Sequence, residues 1–382
     1  MITILHVITG LDVGGAEAML YKVLSRMDHQ RFRSIVLPLV SGGPFEAKIR
    51  ELRVVVLGSD GRPGLGYFQA VPRTIRAVRQ SAPDVIQGWM YHANLAALVA
   101  SFFVRPRPPV IWNVRHALHD REAEKRVTVA AIRSGALLSS RATRVVYNSR
   151  VSAGQHQAIG YDSRRTLVIP NGFDCEEFAP NPAAYTGLRR ELGLAADLRI
   201  IGLIGRYHPL KGHRNFLVAA ALLSKGREDV HFVLAGRGVE SGNDELMALV
   251  RAGNLESRVS LLGQRADVPR LCAALDVATC ASSSEAFPNI LGEAMACGVP
   301  CAATDVGDSG WVVGEGGIVV PAEDPHALAT AWERLLRLGP EQIARMGQLG
   351  RERVLTSFSI DRIVERYEAL YQDTMTAFRE QR

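Results

Sequence analysis

The stretch DVATCASSSEAFPNILGEAMACGVPCAATDVG, residues 276–307, has the pattern of a strand, a loop, a helix and a second strand. Short apolar runs at 276–280 and 299–303 are strand candidates, and the segment 289–297 between them is helical. Both predicted strands are continuously apolar, which is typical of parallel strands covered on both faces. The stretch therefore predicts a strand–helix–strand unit of a parallel sheet.

The same alternation extends along the chain in both directions. Further strand candidates, most of them separated by helical segments, lie at 3–8, 34–39, 54–57, 84–87, 110–114, 144–147, 166–169, 199–204, 230–234, 259–262 and 318–320. The segment 171–187 interrupts the pattern because it is rich in Pro, Gly, Asn and acidic residues, and we interpret it as a linker. We predict an α/β protein with two Rossmann-like, doubly wound parallel-sheet domains facing across a cleft.

The predicted domains are residues 1–178 and 179–359, and the segment 360–382 is predicted to be an amphipathic closing helix. The composition, with 382 residues, 47% hydrophobic and 22% charged, excludes a disordered chain, a collagen-like repeat and a coiled coil. The longest apolar stretch, 93–104, is too short to span a bilayer. We see no targeting segment and expect a cytoplasmic protein.

The net charge of +6 is unevenly distributed, since residues 1–180 contain 23 Lys and Arg but only 14 Asp and Glu. Such an excess favours phosphates, acidic lipid surfaces or nucleic acid as partners, or it serves solubility alone. We predict no nucleic-acid partner, because the chain lacks interleaved aromatic and basic residues and any recognisable binding motif. The five cysteines are interpreted as small buried side chains in a reducing compartment, and no metal site is predicted.

In each predicted domain, one motif follows the first strand. Gly14 and Gly15 precede a helix whose free amides could hold a phosphate, although a tight strand–helix turn explains them equally well. Arg206 and Lys211 leave the sheet at its carboxyl edge, where two cations could bind a pyrophosphate or could simply be solvated. No dinucleotide fingerprint and no P-loop is present.

The third motif lies in the opening stretch. Glu285 stands in a small polar loop, Pro288 and Asn289 begin a helix, and Glu293 follows in that helix. Free amides at 289–291 would accept a phosphate, while the two carboxylates could accept hydrogen bonds from ribose and sugar hydroxyls. The alternative is that both carboxylates are solvated at the surface, which the small residues around them make the weaker interpretation.

The segment 285–293 resembles the E-x7-E signature of family 4 glycosyltransferases, which are retaining enzymes with the two-domain GT-B fold. The segments TGLDVGGAEAML, VIPNGFD, GLIGRYHPLKGH, the run 261–300 and TDVGDSGWVVGEGG are also similar to this family, in its chain order. The resemblance covers most of the chain and is strongest after residue 165. It implies that the closing helix returns to the first domain.

The resemblance also implies a role for each candidate residue. Arg206 and Lys211 would neutralise the donor diphosphate, Glu285 would hold the transferred sugar and Glu293 the ribose. The backbone around Arg265 would meet the nucleotide base. His116 stands where the family has a histidine near the reacting centre, although it could be a structural histidine, and His119 is a less favoured substitute. The predicted catalytic residues are His116, Arg206, Lys211 and Glu285; the further donor-binding residues are Gly14, Gly15, Arg265, Pro288, Asn289, Ile290, Leu291 and Glu293.

From this resemblance we expect a retaining glycosyltransferase that moves a hexose from a nucleoside diphosphate sugar, UDP rather than GDP, to a hydroxyl acceptor. The nucleotide sugar is a co-substrate, and neither a cofactor nor a metal is expected. A lipid-linked or polysaccharide acceptor is a hypothesis, motivated by the basic first domain, the apolar stretch 89–104 and the basic stretches RPRPP and REAEKR. They would contact an anionic membrane at its inner face, although a plain buried helix explains 93–104 equally well. The alternative function is a sugar-nucleotide epimerase or hydrolase on the same fold.

Overall fold

The computed structural model of the chain describes residues 1–58, 66–118 and 125–380. The chain divides into two units: Met1–Gly172 together with Ile360–Arg382, and Phe173–Ser359. Each unit contains a fully parallel sheet, as the continuously apolar strands predict.

The first unit has a seven-stranded sheet with the order β3-β2-β1-β4-β5-β6-β7. Its strands are β1 Ile2–Ile8, β2 Phe32–Pro38, β3 Val55–Val56, β4 Val85–Trp89, β5 Val110–Val114, β6 Arg144–Tyr147 and β7 Thr166–Val168. Its helices are α1 Gly15–Arg26, α2 Pro44–Glu51, α3 Gly66–Ser81, α4 Tyr91–Ser101, α5 Arg126–Leu138, α6 Arg150–Ala158 and, from the end of the chain, α15 Ile360–Glu380.

The second unit has a six-stranded sheet with the order β10-β9-β8-β11-β12-β13. Its strands are β8 Arg199–Ile204, β9 Val230–Ala235, β10 Val259–Leu261, β11 Val277–Cys280, β12 Cys301–Thr304 and β13 Gly317–Val320. Its helices are α7 Pro182–Glu191, α8 His213–Ser224, α9 Asp244–Ala252, α10 Val268–Ala273, α11 Asn289–Ala296, α12 Ser309–Val313, α13 Pro325–Arg337 and α14 Pro340–Ser357.

The closing helix belongs to the first unit, as predicted. Its apolar stripe is buried against α1 and the first sheet, with Tyr367 and Tyr371 fully inaccessible. The hydroxyl of Tyr367 accepts a hydrogen bond of 2.8 Å from the Asn113 side-chain amide at the end of β5. Because one face of the helix is apolar and the other polar, packing on the sheet is the arrangement that removes the stripe from water.

The segment 171–187 differs from the predicted irregular linker. The first unit ends at Gly172 rather than at residue 178, because the Phe173 ring stacks on Phe287 at 6.1 Å inside the second core. Helix α7 begins within the segment: the Asn181 side chain caps the Ala184 amide at 3.2 Å, and Pro182 occupies the first helical position. Asparagine caps and first-turn prolines are a common helix start.

Two further predictions are refined by the structure. The strand expected at 299–303 is β12, Cys301–Thr304, because Pro300 has no amide proton to donate to the sheet. The apolar stretch 93–104 is mostly the buried helix α4, and Trp89 before it is fully inaccessible. Within the described residues, no helix combines the length and the apolar character that crossing a membrane requires.

Candidate active site

Each sheet has a topological switch point, which is a pair of neighbouring strands whose chain connections lead away in opposite directions. In the first sheet this point lies between β1 and β4, and in the second between β8 and β11. Ligands of open parallel sheets bind beyond the carboxyl ends of such strands. Gly14 and Gly15 follow β1, Arg206 and Lys211 follow β8, and Glu285 follows β11, so the predicted site residues lie at both switch points.

The second switch point brings Lys211 and Glu285 into direct contact. The Lys211 Nζ lies 2.5 Å from Glu285 Oε1, and the Ser282 hydroxyl donates to the same oxygen at 2.8 Å. The Glu285 carboxylate is largely buried, while the Lys211 side chain is one-third exposed. This contact joins residues that are 74 positions apart. An ammonium held in this way still has two N–H donors for an anionic ligand.

Two glycines allow the loops that carry this pair to approach the sheet closely. Gly212 has φ +67°, and a Cβ there would lie 1.9 Å from the Ala281 carbonyl oxygen at the end of β11. Gly307 has φ +54°, and a Cβ there would lie 2.3 Å from the carbonyl oxygen of Glu285. Because both positions need a left-handed backbone and the absence of a side chain, glycine is required at each.

Positive charge dominates the loop after β8. Arg206 is exposed directly after the strand. Burial and the nearby Arg206 and Lys211 lower the pKa of His208. Burial lowers the pKa of His213, the first residue of α8, to about 4, and Lys211 contributes in the same direction. Both histidines are therefore biased towards the neutral form, so the cationic groups of this loop are Arg206 and Lys211.

Helix α11 begins at the same edge of the second sheet. Pro288 is its N-cap, and the loop before it starts at the carboxyl end of β11, so the amides of the first turn lie at that edge. Asn289 is exposed there, whereas Leu291 is buried. Glu293 lies one turn further along, and its charge raises the pKa of Cys272 and Cys297, which burial raises more strongly. Glu293 is half-buried, and its charge acts on Cys272 of the neighbouring α10.

Arg265 lies in a cluster of ion pairs. Its guanidinium contacts Glu191 at 2.7 Å and Asp267 at 2.8 Å, and Arg270 contacts the same two carboxylates. Hydrogen bonds from Arg265 lower the pKa of Asp267 well below its usual range. The side chain thus ties the loop after β10 to α7, and the role predicted for this residue concerned its backbone only.

In the first unit, Gly14 and Gly15 form the start of α1. A Cβ at Gly15 would meet no atom within 4 Å, so packing within the protein does not require glycine there. A position that is open in this way can be approached closely by a ligand. The side chain of Glu17 folds over Gly14, and burial, together with Asp12, raises the pKa of this carboxyl group.

His116 lies at the carboxyl end of β5 and is held by a chain of hydrogen bonds. Ser152 Oγ donates to its carbonyl at 2.6 Å, and its Nδ1 lies 3.4 Å from the Tyr91 hydroxyl. Tyr91 Oη also lies 2.8 Å from His156 Nε2, and His156 Nδ1 lies 2.8 Å from the Ser152 carbonyl. His119 lies outside the described residues.

The direction of these hydrogen bonds follows from the chemistry of each group. A carbonyl only accepts, so His156 Nδ1 donates to Ser152, and in a neutral imidazole Nε2 then accepts from Tyr91. The Tyr91 oxygen is then the acceptor for His116 Nδ1–H. In a neutral His116 ring, Nε2 would then be the nitrogen without a proton.

Sequence reasoning did not identify Tyr91, His156 or Arg115 as part of this site. Arg115 donates to the hydroxyl of Tyr367 at 3.1 Å and to the Asn171 side chain, so it connects the His116 loop to α15 and to the segment after β7. Burial lowers the pKa of Arg115, and Tyr367 partly offsets the shift. Their positions in the sequence could have indicated two of them. Tyr91 lies four residues after the predicted strand 84–87, and Arg115 directly follows the predicted strand 110–114.

Comparison with known proteins shows two matching family models. The model described as Glycosyltransferase Family 4 matches residues 13–177, and the model described as Glycosyl transferases group 1 matches residues 199–338. The first match lies in the first unit and just beyond its end, and the second runs from β8 to the end of α13.

Individual proteins are similar as well. The putative glycosyltransferase EpsF of Bacillus subtilis (strain 168) is 30% identical over 321 residues, which span 79% of each chain. An Escherichia coli protein named UDP-Gal:alpha-D-GlcNAc-diphosphoundecaprenol alpha-1,3-galactosyltransferase is 30% identical over 219 residues, 56% of this chain and 55% of its own.

Among solved structures, Anabaena Alr3699/HepE in complex with UDP has a TM-score of 0.84 at 25% identity, covering 97% of this chain and 100% of its own. Its complex with UDP-glucose has a TM-score of 0.82 at 25% identity, covering 99% and 100%. With its two parallel-sheet units and its loops at the carboxyl edges, the chain belongs to the family 4 glycosyltransferases and has the GT-B fold.

Proposed function

We propose that the chain transfers a hexose from a UDP-sugar to a hydroxyl acceptor with retention of the anomeric configuration. The observation that carries the proposal is the Lys211–Glu285 ion pair at the β8/β11 switch point, whose lysine stands in the same loop as Arg206. It combines cations suited to a diphosphate with a carboxylate suited to sugar hydroxyls. The proposal takes UDP from the HepE complexes, which contain UDP or UDP-glucose.

The energetic problem of the reaction is its leaving group. Breaking the bond between the anomeric carbon and the phosphate oxygen develops negative charge on the diphosphate and positive charge on the sugar ring. Arg206, Lys211 and the first amides of α11 are the groups assigned to stabilise the departing diphosphate. One preorganised donor of this kind contributes roughly 100–1000-fold in rate.

The carboxylates are assigned to the two sugars of the donor. Glu285 accepts hydrogen bonds from hydroxyl groups of the transferred hexose, in addition to those from Lys211 and Ser282. Glu293, in the second turn of α11, accepts from the ribose hydroxyls. This division is what the E-x7-E spacing implies, because it places one carboxylate before the helix start and one within the helix.

Retention is assigned to attack from the face that the diphosphate leaves. The acceptor oxygen forms the new bond to the anomeric carbon, and its proton passes to the departing phosphate oxygen, so charge and atoms balance without a protein nucleophile. His116 is the candidate for contact with the reacting sugar. No metal is part of this mechanism, and turnover should therefore persist in EDTA; loss of turnover that Mg²⁺ or Mn²⁺ restores would contradict it.

The acceptor is proposed to be a lipid-linked saccharide or a growing polysaccharide. The support is the E. coli relative, whose name gives a diphosphoundecaprenol-linked acceptor, together with the basic character of residues 1–180.

The test begins with thermal unfolding in the presence of a panel of nucleotides and nucleotide sugars. A ligand that binds only the folded protein raises its unfolding temperature by mass action, and UDP and UDP-hexoses should do so more than GDP. Proton NMR of the product with the identified donor should show the donor's anomeric configuration. Inversion contradicts retention, while full consumption of the donor in the absence of any acceptor favours an epimerase or hydrolase.

A further inference from the structure

The positive charge of the chain is concentrated in residues 66–161. This stretch contains 13 Lys and Arg against 4 Asp and Glu, whereas the whole chain has 45 against 39. Three of the four carboxylates, at 120, 122 and 124, lie outside the described residues, and Asp84 accepts a hydrogen bond of 2.8 Å from the Thr3 amide. Helices α3, α4 and α5 of this stretch lie side by side over one face of the first sheet.

Helix α5 has an exposed stripe along its outer side. Arg126, Ala130, Arg133 and Leu137 are spaced by three or four residues, so they lie on one face, and all four are exposed. Leu137 is 83% exposed and the neighbouring Val127 is 57% exposed. On the exposed side of the helix, these large apolar side chains therefore lie among arginines. The opposite side of the helix is buried in the core.

Helix α4 packs against α5, and two exposed apolar side chains follow its last residue. Phe102 and Phe103 are 39% and 57% exposed. The Arg107 guanidinium stacks over the Phe102 ring at 4.0 Å, and Arg79 of α3 donates to the Phe103 carbonyl at 3.3 Å. Burial lowers the pKa of Arg107, and the nearby Arg141 and Arg105 lower it further, so two more positive charges lie near the guanidinium that covers Phe102.

We infer that this surface, defined as the exposed stripe of α5 together with Phe102 and Phe103 and named here the docking face, binds an anionic lipid bilayer. The inference rests on the proposed transfer to a lipid-linked acceptor and adds the surface that would hold the enzyme at the membrane. It differs from the surface expected from sequence: most of the apolar stretch 89–104 is buried, and the exposed groups are its last residues and α5.

The chemistry of the docking face favours a bilayer over a purely polar partner. The guanidinium groups of the arginines attract anionic lipids with about 1 kcal/mol for each residue near the membrane surface. The long arginine side chains also reach past apolar neighbours. Exposed Phe, Leu and Val side chains favour binding only where they are removed from water, as they are at the boundary between lipid headgroups and acyl chains. Nucleic acid would satisfy the arginines but leave Leu137 and Val127 in water.

The experiment measures sedimentation of the full chain with vesicles of phosphatidylcholine alone and of phosphatidylcholine with 30% phosphatidylglycerol, at low and at physiological salt. The wild type should bind the anionic vesicles and not the neutral ones. The variant R126E/R133E should weaken binding by at least about tenfold, since it removes two attractive charges and adds two repulsive ones. The variant F102S/F103S should weaken binding at both salt concentrations.

Matched controls come from the second unit. R334E/R345E makes the same charge change at exposed helical positions, and V218S/L355S removes exposed apolar side chains; both should bind as the wild type does. Equal binding of all variants, absence of binding to anionic vesicles, or variant-sensitive binding to DNA alone would overturn the inference. Stabilisation by UDP, measured in the same samples, reports separately on the proposed donor site, so either idea can fail without the other.

Discussion

At the scale of single residues, the central feature is a lysine and a glutamate that hold each other in place. Lys211 follows β8 and Glu285 follows β11, and their contact exists because these two strands are neighbours in the sheet. The two side chains are assigned to different parts of one donor, a phosphate and a sugar. Substituting one or the other should therefore have different effects on nucleotide binding.

Lys211→Ala should lower turnover by roughly 100–1000-fold and weaken UDP binding, because it removes a preorganised donor to the leaving group. Glu285→Gln should lower turnover while leaving the affinity for free UDP unchanged or higher, because the ammonium loses its carboxylate partner. Titration of each variant with UDP and with the UDP-sugar measures the difference. Lys225→Ala, an exposed lysine after α8, is the control; equal loss of UDP affinity in both site variants would contradict the division of roles.

Tyr91 is a residue that only the structure connects to His116. Tyr91→Phe removes the hydroxyl that accepts from His116 and donates to His156. We expect lower turnover, unchanged stabilisation by UDP and a loss of about 1 kcal/mol in stability. Tyr161→Phe is the matched control, because it keeps the ring that packs on His156 and removes a buried hydroxyl that donates to the Ile132 carbonyl. Equal turnover in the two variants would show that Tyr91 does not position His116.

At the scale of elements, β9 carries a titratable group into the second core. His231 is 6% exposed, its Nε2 lies 2.9 Å from the Ser260 hydroxyl of β10, and burial lowers its pKa to about 4. An unfolded histidine has a pKa of about 6.5. Between these values the unfolded chain binds more protons than the folded one, so stability falls as the pH decreases from about 6.5 towards 4.

His231→Gln should reduce this acid sensitivity. Near pH 5 the wild-type histidine costs about 2 kcal/mol relative to neutral pH, and the variant should lose correspondingly less stability. Urea unfolding at pH 7 and pH 5 measures the effect. His326→Gln, at an exposed position of α13, should behave as the wild type does. Part of the sensitivity should persist in the variant, since burial also lowers the pKa of His6 to about 3 and of His213 to about 4.

At the scale of the whole molecule, the chain ends by completing the unit with which it begins. Helix α15 follows the entire second unit in sequence, yet its apolar stripe fills the core of the first. Each fully buried large side chain contributes roughly 1.5–3 kcal/mol, and the helix buries several, a sum comparable to the total stability of a domain. The first unit therefore depends on residues that follow the whole second unit in sequence.

A chain that ends after Ser359 should have an unfolded first unit and a folded second unit. Limited proteolysis should degrade Met1–Gly172 and spare Phe173–Ser359, and UDP should still protect the surviving fragment. A chain that ends at Glu380 is the control and should behave as the full chain does. Protease resistance of the truncated first unit would contradict the role assigned to α15.

The sequence by itself determined the alternation of strands and helices, the parallel sheets and the loops that carry Gly15, Arg206, Lys211 and Glu285. These features follow from local periodicity, from apolar runs and from turn residues, all of which act over a few positions. The helix of the linker was missed because Asn181 and Pro182 favour both a turn and a helix start.

Only the tertiary structure decided which of these loops meet. The Lys211–Glu285 contact needs β8 beside β11, and the chain of hydrogen bonds from His116 to His156 needs β4, β5 and α6 together. Strand order is set by the burial of whole elements, a non-local effect that no short window of sequence contains. The same holds for the docking face, since exposure depends on which side of α5 the core leaves uncovered.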